Sequence, residues 1–162
     1  MNLEILSSSD IDYILSKYDI YSGTYASDTF KFTQKKNNQA FVINTADSTS
    51  PGAHWIALIK TNSEYFFFDS FGLPIYTEPI LNILKHGQIL NYQYNSIQVQ
   101  PITSDNCGYY CVAFILSYLN GFSYEKFLNY FFYDVSKNDK ICYDFINKYI
   151  SYSYIISFIK DL

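Results

Sequence analysis

Apolar residues near the start of the chain follow the spacing of one amphipathic helix. Residues 8–19 place an apolar side chain at every third or fourth position, which predicts a helix with one buried face. Ser9 is expected to cap this helix, and Asp10 and Asp12 suit its positive end. The predicted buried stripe consists of Ile11, Ile14, Leu15 and Tyr18. Residues 21–32 are polar and contain a glycine, and we interpret them as a connection.

The pattern then changes to that of buried strands. Residues 40–44 predict a short buried strand, and residues 45–52 predict a loop after it. Two nearly continuous apolar runs, 54–60 and 64–70, flank the polar residues 61–63. This arrangement is typical of a β-hairpin whose strands are buried on both faces.

The second half of the chain alternates between helical and extended patterns. A turn and a helix ending near Gly87 are followed by residues 92–100, whose alternation predicts a further strand. A long apolar helix is expected over residues 107–119, and later helices are expected to begin near Ser123 and Asn138. The predicted order, α-β-β-β-α-β-α-α-α, indicates an α+β fold with a small central mixed sheet flanked by helices.

Composition narrows the class of protein without identifying its chemistry. A chain of 162 residues and 18.9 kDa fits a single domain spanning residues 1–162. The start lacks a signal-peptide pattern and no window is apolar enough for a membrane span, so we expect an intracellular protein without a membrane partner. The net charge of −4 argues against strong nucleic-acid binding, and three cysteines argue against a disulfide framework.

Two polar residues of the predicted hairpin could form a catalytic pair. His54 begins the first strand, and a turn at residues 61–63 places it opposite residues 70–71, so Asp69 is expected to be its neighbour. An imidazole beside a carboxylate is the pair that orients a general base. Taken alone, His54 is more often a structural histidine, and the other histidine, His86, is interpreted as a surface residue at a helix end.

Cys107 is the candidate nucleophile, because it follows a polar loop and opens the apolar helix. The positive end of that helix favours a thiolate, Gly108 leaves the backbone uncrowded, and Gln100 could donate to an oxyanion. Alone, such a cysteine is more often a small buried residue. Cys111 and Cys142 are assigned to the core, and a zinc site built from the three cysteines and a histidine is a weak alternative because it lacks compact ligand spacing.

The order of these residues resembles the adenovirus maturation protease (adenain) family and its wider clan of SUMO- and ubiquitin-like-specific proteases. The resemblance rests on the stretches HW, FFFDSFG and Q…NCGYYC, on GTY at residues 23–25, and on NTADSTSPGAHW at residues 44–55. It covers roughly residues 9–120. The seven-residue spacing from Gln100 to Cys107 is also similar to that of adenain.

The resemblance implies an adenain-like, papain-like fold and a role for each matched residue. Cys107 would be the nucleophile, His54 the general base and acid, Asp69 the orienting group and Gln100 an oxyanion donor. The residues expected to line the substrate groove are Gly52, Trp55 and Gly108. No metal or cofactor is expected.

The resemblance also implies a function, with two departures from the family. We expect a monomeric thiol protease that cleaves capsid or other virion precursors after glycine. Its expected source is a double-stranded DNA virus, a virophage or a Polinton-type element. It is expected to act in the virion or in the host cytoplasm or nucleus. Adenain has Glu where this chain has Asp69. Adenain is also basic and is activated by DNA and by a disulfide-linked peptide, whereas this chain is acidic and has no cysteine before Cys107. Basal activity or a non-covalent activating peptide is therefore expected.

Alternative functions remain open at this level. A ubiquitin-like-protein protease would use the same residues on a different substrate. A catalytically silent binding module of the same fold, or an acyltransferase using the same Cys–His pair, would also fit the pattern.

Overall fold

The computed structural model describes residues 4–32, 36–87, 89 and 91–160, with side chains as far as residue 150. Its helices are α1 (Ser8–Leu15), α2 (Glu78–His86), α3 (Cys107–Leu119), α4 (Tyr124–Leu128) and α5 (Asn138–Lys160), with a 3₁₀ helix at Val135–Lys137. Its strands are β1 (Tyr21–Ala26), β2 (Gln39–Asn44), β3 (Trp55–Lys60), β4 (Tyr65–Phe68) and β5 (Gln93–Tyr94). The predicted single domain of residues 1–162 extends beyond the described residues at both ends and stays a prediction.

The described strands form one mixed sheet in the order β1-β2-β3-β4-β5. β1 runs parallel to β2, and β5 runs parallel to β4, whereas the central pairs β2–β3 and β3–β4 are antiparallel. The structure confirms the predicted strand at 40–44 and the predicted hairpin of 54–70. It also confirms the predicted helix that ends near Gly87 and the helices that begin near Cys107, Ser123 and Asn138. The architecture is therefore the predicted α+β class, with a small central sheet and helices on its faces.

Strand β1 was not predicted, because residues 21–32 were interpreted as a connection. Among the described residues it is an edge strand paired with β2, and every one of its residues is half-buried, which explains the weak apolar alternation. Gly23 lies where the register shifts between Tyr21 and Thr24, at a φ of 118°. Such an irregularity favours glycine and resembles a turn in sequence.

The predicted strand over residues 92–100 is mostly wrong. Only Gln93–Tyr94 pairs with β4. The next residue, Asn95, is almost fully buried, and its side-chain amide bonds to the backbone of Asp69. At this point hydrogen bonds from a side chain therefore take the place of backbone hydrogen bonds between strands. The alternation of apolar and polar residues does not reveal where a side chain, and not the backbone, makes these hydrogen bonds.

Helix α1 is shorter than the predicted range of 8–19, and Ser7 caps it rather than Ser9. Ser7 Oγ accepts from the backbone N–H of Asp10 at 3.3 Å, while the Ser7 N–H donates to Asp10 Oδ2 at 2.8 Å. This is a capping box, which satisfies two donors at once. Asp12 accepts from the hydroxyl of Tyr21 at 2.5 Å and so joins the helix to β1.

The central strands are buried on both faces, as predicted. Alternate residues of a strand point to opposite faces, and Ala40 and Val42 of β2 pack with α3 and α5, whereas Phe41 and Ile43 pack with α2. Each fully buried Leu, Ile or Phe side chain contributes about 1.5–3 kcal/mol. Helix α3 is buried along most of its length, and this fixes its first residue against the sheet.

None of the helices described by the structure combines the length and apolar character needed to cross a membrane.

Candidate active site

The β3–β4 hairpin brings His54 and Asp69 together, as the sequence predicts. His54 directly precedes β3 and Asp69 directly follows β4, so in this antiparallel pair both residues lie at the same end of the hairpin. His54 Nε2 donates to Asp69 Oδ1 at 2.9 Å, and both side chains are buried.

The first residues after β4 hold this pair in place. The backbone N–H of Phe71 donates to Asp69 Oδ1 at 2.8 Å, so the same oxygen accepts from Phe71 and from His54. The Phe71 ring stacks on the imidazole, with 4.9 Å between ring centroids and 28° between planes. One residue therefore supports both the carboxylate and the imidazole.

Asn95 fixes the backbone of Asp69, a role that the sequence did not indicate. Its Oδ1 accepts from the Asp69 N–H at 3.0 Å, and its Nδ2 donates to the Asp69 carbonyl at 2.5 Å and to the Ile97 carbonyl at 3.1 Å. The hydroxyl of Tyr124 also donates to Oδ1, at 3.2 Å. The only available signal was a polar residue among the alternating positions of a predicted strand.

Gly72 allows the segment before Gln100 to approach the Asp69 turn. Gly72 has a φ of 72°, and a Cβ on it would lie 2.7 Å from the Ile97 carbonyl carbon and 2.8 Å from the Gln98 nitrogen. Both the backbone conformation and the contact therefore favour glycine.

Cys107 lies at the first position of α3, beside the imidazole. It is 7% exposed, and the backbone N–H of Trp55 donates to its sulfur at 3.4 Å. The Cys107 side chain is also close enough to His54 to raise the pKa of the imidazole. The structure thus places Cys107, His54 and Asp69 in one connected row.

The charge state of His54 follows from this row. Burial lowers the pKa of His54, but the hydrogen bonds to Asp69 and Cys107 and the charges of both partners outweigh it and raise the pKa to about 9. An imidazolium next to the sulfur is the state in which a cysteine acts as a nucleophile and the histidine as an acid.

The Gln100 side chain is held in one orientation by two bonds. Ser70 Oγ donates to Gln100 Oε1 at 2.6 Å, and Gln100 Nε2 donates to the Ser104 carbonyl at 2.6 Å. An amide nitrogen carries two hydrogens, so one remains for another acceptor. Gln100 is fully buried, and its backbone N–H donates to the Ser70 carbonyl at 3.0 Å.

The three residues predicted to bind substrate occupy different environments. Gly52 lies in the exposed loop before His54, where a Cβ would be 3.2 Å from Asn44 Nδ2. Trp55 is half-buried, and its indole N–H donates to the Leu6 carbonyl at 3.2 Å. Gly108 is buried, and a Cβ there would meet Leu6 at 3.1 Å and Trp55 at 3.4 Å. The structure thus gives Gly108 a packing role, and its contact with substrate stays a prediction.

The remaining cysteines and histidine lie apart from the row. Cys111 and Cys142 are fully buried, as predicted, and burial raises the pKa of both thiols. His86 is exposed at the end of α2, and its Nδ1 donates to the Asn82 carbonyl at 2.6 Å. No three His, Cys, Asp or Glu side chains converge as metal ligands among the residues described.

A groove of about 1160 Å³ lies along the loop that precedes Cys107, and its lining does not include Cys107, His54, Asp69 or Gln100. Its lining includes Asn106, which precedes Cys107, and four exposed apolar residues, Ile5, Ile97, Ile102 and Tyr133. The carboxylates that line it belong to Asp105, Asp134 and Asp139. The groove therefore has an apolar surface with acidic groups.

The sequence model of the adenovirus endoprotease family (Peptidase_C5) matches residues 21–140. The chain belongs to the adenovirus endoprotease family. The match includes His54, Asp69, Gln100 and Cys107, and it begins and ends later than the expected range of 9–120.

Relatives within the adenovirus endoprotease family support the same assignment. The protease of Bovine adenovirus C serotype 10 is 31% identical over 103 residues, which cover 55% of this chain and 53% of that protein. The protease of Bovine adenovirus 2 is 26% identical over 113 residues, covering 62% of this chain and 55% of that protein. The match therefore spans little more than half the length of these two relatives.

A solved structure shares the fold. The crystal structure of the selenomethionine form of the ASFV pS273R protease superposes with a TM-score of 0.50 at 22% identity, over 70% of this chain and 44% of that one. This likeness confirms the predicted fold class.

Proposed function

We propose that this chain is a cysteine endopeptidase with Cys107 as nucleophile, His54 as general base and acid, Asp69 as the orienting group and Gln100 as an oxyanion donor. The observation that carries the proposal is geometric: His54 Nε2 is bonded to Asp69 Oδ1 at 2.9 Å, and the next residue, Trp55, donates its backbone N–H to the Cys107 sulfur at 3.4 Å. Membership of a protease family supports it.

The proposed reaction uses these groups in order. The Cys107 sulfur attacks the scissile carbonyl carbon and forms a C–S bond while His54 carries the proton. The oxyanion lies between the Cys107 N–H, which precedes the intrahelical bonds of α3, and the second hydrogen of Gln100 Nε2. His54 then gives its proton to the leaving amine as the C–N bond breaks, and water hydrolyses the thioester with His54 as base.

The proposed substrate is a polypeptide of a viral precursor, cleaved after glycine. The groove beside Asn106 is large enough for an extended peptide, and its apolar residues suit side chains of a polypeptide. Capsid or other virion precursors, a site of action in the virion or the infected cell, and a monomeric enzyme rest on the family resemblance.

The decisive experiment is incubation of the purified chain with candidate virion precursors, followed by sequencing of the new N-termini. Cleavage should be abolished by Cys107→Ala and by His54→Ala, because no other described group can replace the sulfur or move the proton. Cys111→Ala and Cys142→Ala, which change only buried core thiols, are matched controls that should keep most activity. Activity that survives Cys107→Ala would contradict the proposal, and cleavage restricted to ubiquitin-type reporters would point to a different substrate class.

A further inference from the structure

The first residue of α5 is bonded to the segment that carries Gln100. Asn138 is fully buried, and its Nδ2 donates to the Val99 carbonyl at 2.9 Å and to the Phe132 carbonyl at 2.9 Å. Its Oδ1 accepts from the Phe132 N–H at 3.0 Å. On its other side, Val99 donates its N–H to the Ser70 carbonyl at 2.9 Å. The residue before Gln100 is therefore fixed between β4 and α5.

The second residue of α5 is bonded to the residue before the nucleophile. Asp139 Oδ2 accepts from Asn106 Nδ2 at 2.9 Å, and Asp139 Oδ1 accepts from the hydroxyl of Tyr110 at 2.9 Å. Asn106 is the N-cap residue of α3, yet its side chain makes no capping hydrogen bond. An asparagine at an N-cap normally accepts from the helix backbone, which stabilises the helix by about 1 kcal/mol. Here the amide is directed to Asp139.

These bonds hold both ends of one short loop. Residues 101–105 connect the proposed oxyanion donor to the nucleophile helix, and most of them are exposed or half-buried. Inside the loop, Gln100 Nε2 donates to the Ser104 carbonyl at 2.6 Å, and the bonds to Asn138 and Asp139 add an anchor from outside the loop. Asn138 and Asp139 are consecutive residues at the start of a helix, so the two points that they hold keep a fixed separation.

We propose that Asn138 and Asp139, together termed the α5 clamp, are positioning residues that set the Gln100 amide and Cys107 in their catalytic geometry. This inference rests on the proposed function. Asn138 acts through Val99 on Gln100, and Asp139 acts through Asn106 on Cys107. Neither side chain touches the reacting atoms.

The test compares Asp139→Ala with Tyr110→Phe, which is a matched control. Tyr110→Phe removes one hydrogen bond to the same carboxylate but leaves the Asn106 contact intact. We expect Asp139→Ala to lower kcat by roughly 10- to 100-fold, because small misplacements of reacting groups have effects of this size. KM should change little, and Tyr110→Phe should keep kcat within about threefold of the parent. Equal kcat values in the two variants would overturn the proposal for Asp139.

Two double-mutant cycles separate positioning from stability. In the first cycle, Asn138→Ala should lower kcat in the parent but should not lower it further when Gln100→Ala is already present. In the second cycle, Asp139→Ala should lower kcat in the parent but should not lower it further when Asn106→Ala is already present. If the effects of the two single substitutions on kcat simply multiply in the double variant, the α5 residue has only a structural role. If Asn138→Ala does not fold, the Asp139 cycle alone decides.

A second readout needs no substrate. The pH profile for alkylation of Cys107 by iodoacetamide should change in Asp139→Ala and stay that of the parent in Tyr110→Phe. An unchanged profile in Asp139→Ala would contradict the clamp even if no cleaved protein is found. A parent chain that alkylates at Cys107 but cleaves nothing would contradict the proposed function alone.

Discussion

At the scale of single residues, His54 is the group that links the two sides of the candidate site. Its Nε2 is bonded to Asp69, its ring stacks on Phe71, and the Cys107 thiol is close enough to raise the pKa of the imidazole. The partners together raise the pKa of His54 from 6.5 to about 9. A proton bound more tightly in the folded chain couples the folding equilibrium to pH.

We predict that the free energy of unfolding falls as the pH rises from about 6.5 to about 9. A raised pKa stabilises the folded state fully below the unfolded value of 6.5, and the contribution is lost as the pH passes about 9. Each unit of pKa difference corresponds to about 1.4 kcal/mol. Urea denaturation at several pH values measures this slope, with His54→Gln as the control that should flatten it. A slope of the same size in His54→Gln would assign the effect to another group.

Gln100 illustrates how a polar side chain can be fixed by its neighbours. Gln100→Ala should lower turnover by roughly 10- to 1000-fold, the range for one oxyanion donor, with little change in KM. Ser70→Ala should have a smaller effect in the same direction, because Gln100 Oε1 loses its donor and only the bond from Nε2 to the Ser104 carbonyl still orients the amide. The measurement is kcat and KM for the three proteins. If Gln100→Ala has the same kcat as the parent, Gln100 is not an oxyanion donor and another group must fill that role.

At the scale of elements, the turn after β4 brings the two halves of the site together. Gly72 lies at a positive φ and packs against the backbone of residues 97–98, two to three residues before Gln100. The same turn carries Asp69, whose carbonyl accepts from the Gly72 N–H at 2.8 Å. A displacement of this turn would move both groups.

We predict that Gly72→Ala destabilises the chain more than Gly121→Ala. Both glycines have a similar φ, 72° and 75°, so an alanine has the same conformational cost of about 1–2 kcal/mol at each position. Only Gly72 has backbone within 3 Å of the added Cβ, whereas nothing lies within 4 Å at Gly121. Thermal and urea unfolding of the two variants give the difference. If both variants lose the same free energy of unfolding, the backbone of residues 97–98 moves away from the added Cβ at Gly72 without a measurable loss of stability.

Elements with a strong apolar pattern could be predicted from the sequence, and those held by side chains could not. The bounds of α3 and the approach of His54 to Asp69 followed from an apolar run and a hairpin register. Strand β1 was missed because it is half-buried at the sheet edge. The roles of Asn95 and Asn138 were missed because each depends on contacts with residues 26 to 39 positions away. Sequence periodicity contains no information about such contacts.

The proposed active site lies between two parts of the whole molecule. The sheet supplies His54 and Asp69, the helical part supplies Cys107, and the α5 clamp joins α5 to the loop between Gln100 and Cys107. The chain as a whole is acidic. All of the 11 basic residues are lysines, against 15 acidic residues, and the groove beside Asn106 is lined by three aspartates.

We predict that DNA does not stimulate cleavage by this chain at physiological salt. A protein that uses DNA as an activator must neutralise phosphates with Lys or Arg, and its affinity then falls steeply with salt. A net charge of −4 without arginine leaves few such contacts and no bidentate guanidinium. A disulfide-linked activator is also disfavoured, because Cys111 and Cys142 are buried and no cysteine precedes Cys107. The assay is the cleavage rate with and without DNA, at two salt concentrations, with and without reductant. Rates that rise with DNA at low salt and fall back at high salt would show that local charge, and not net charge, governs activation.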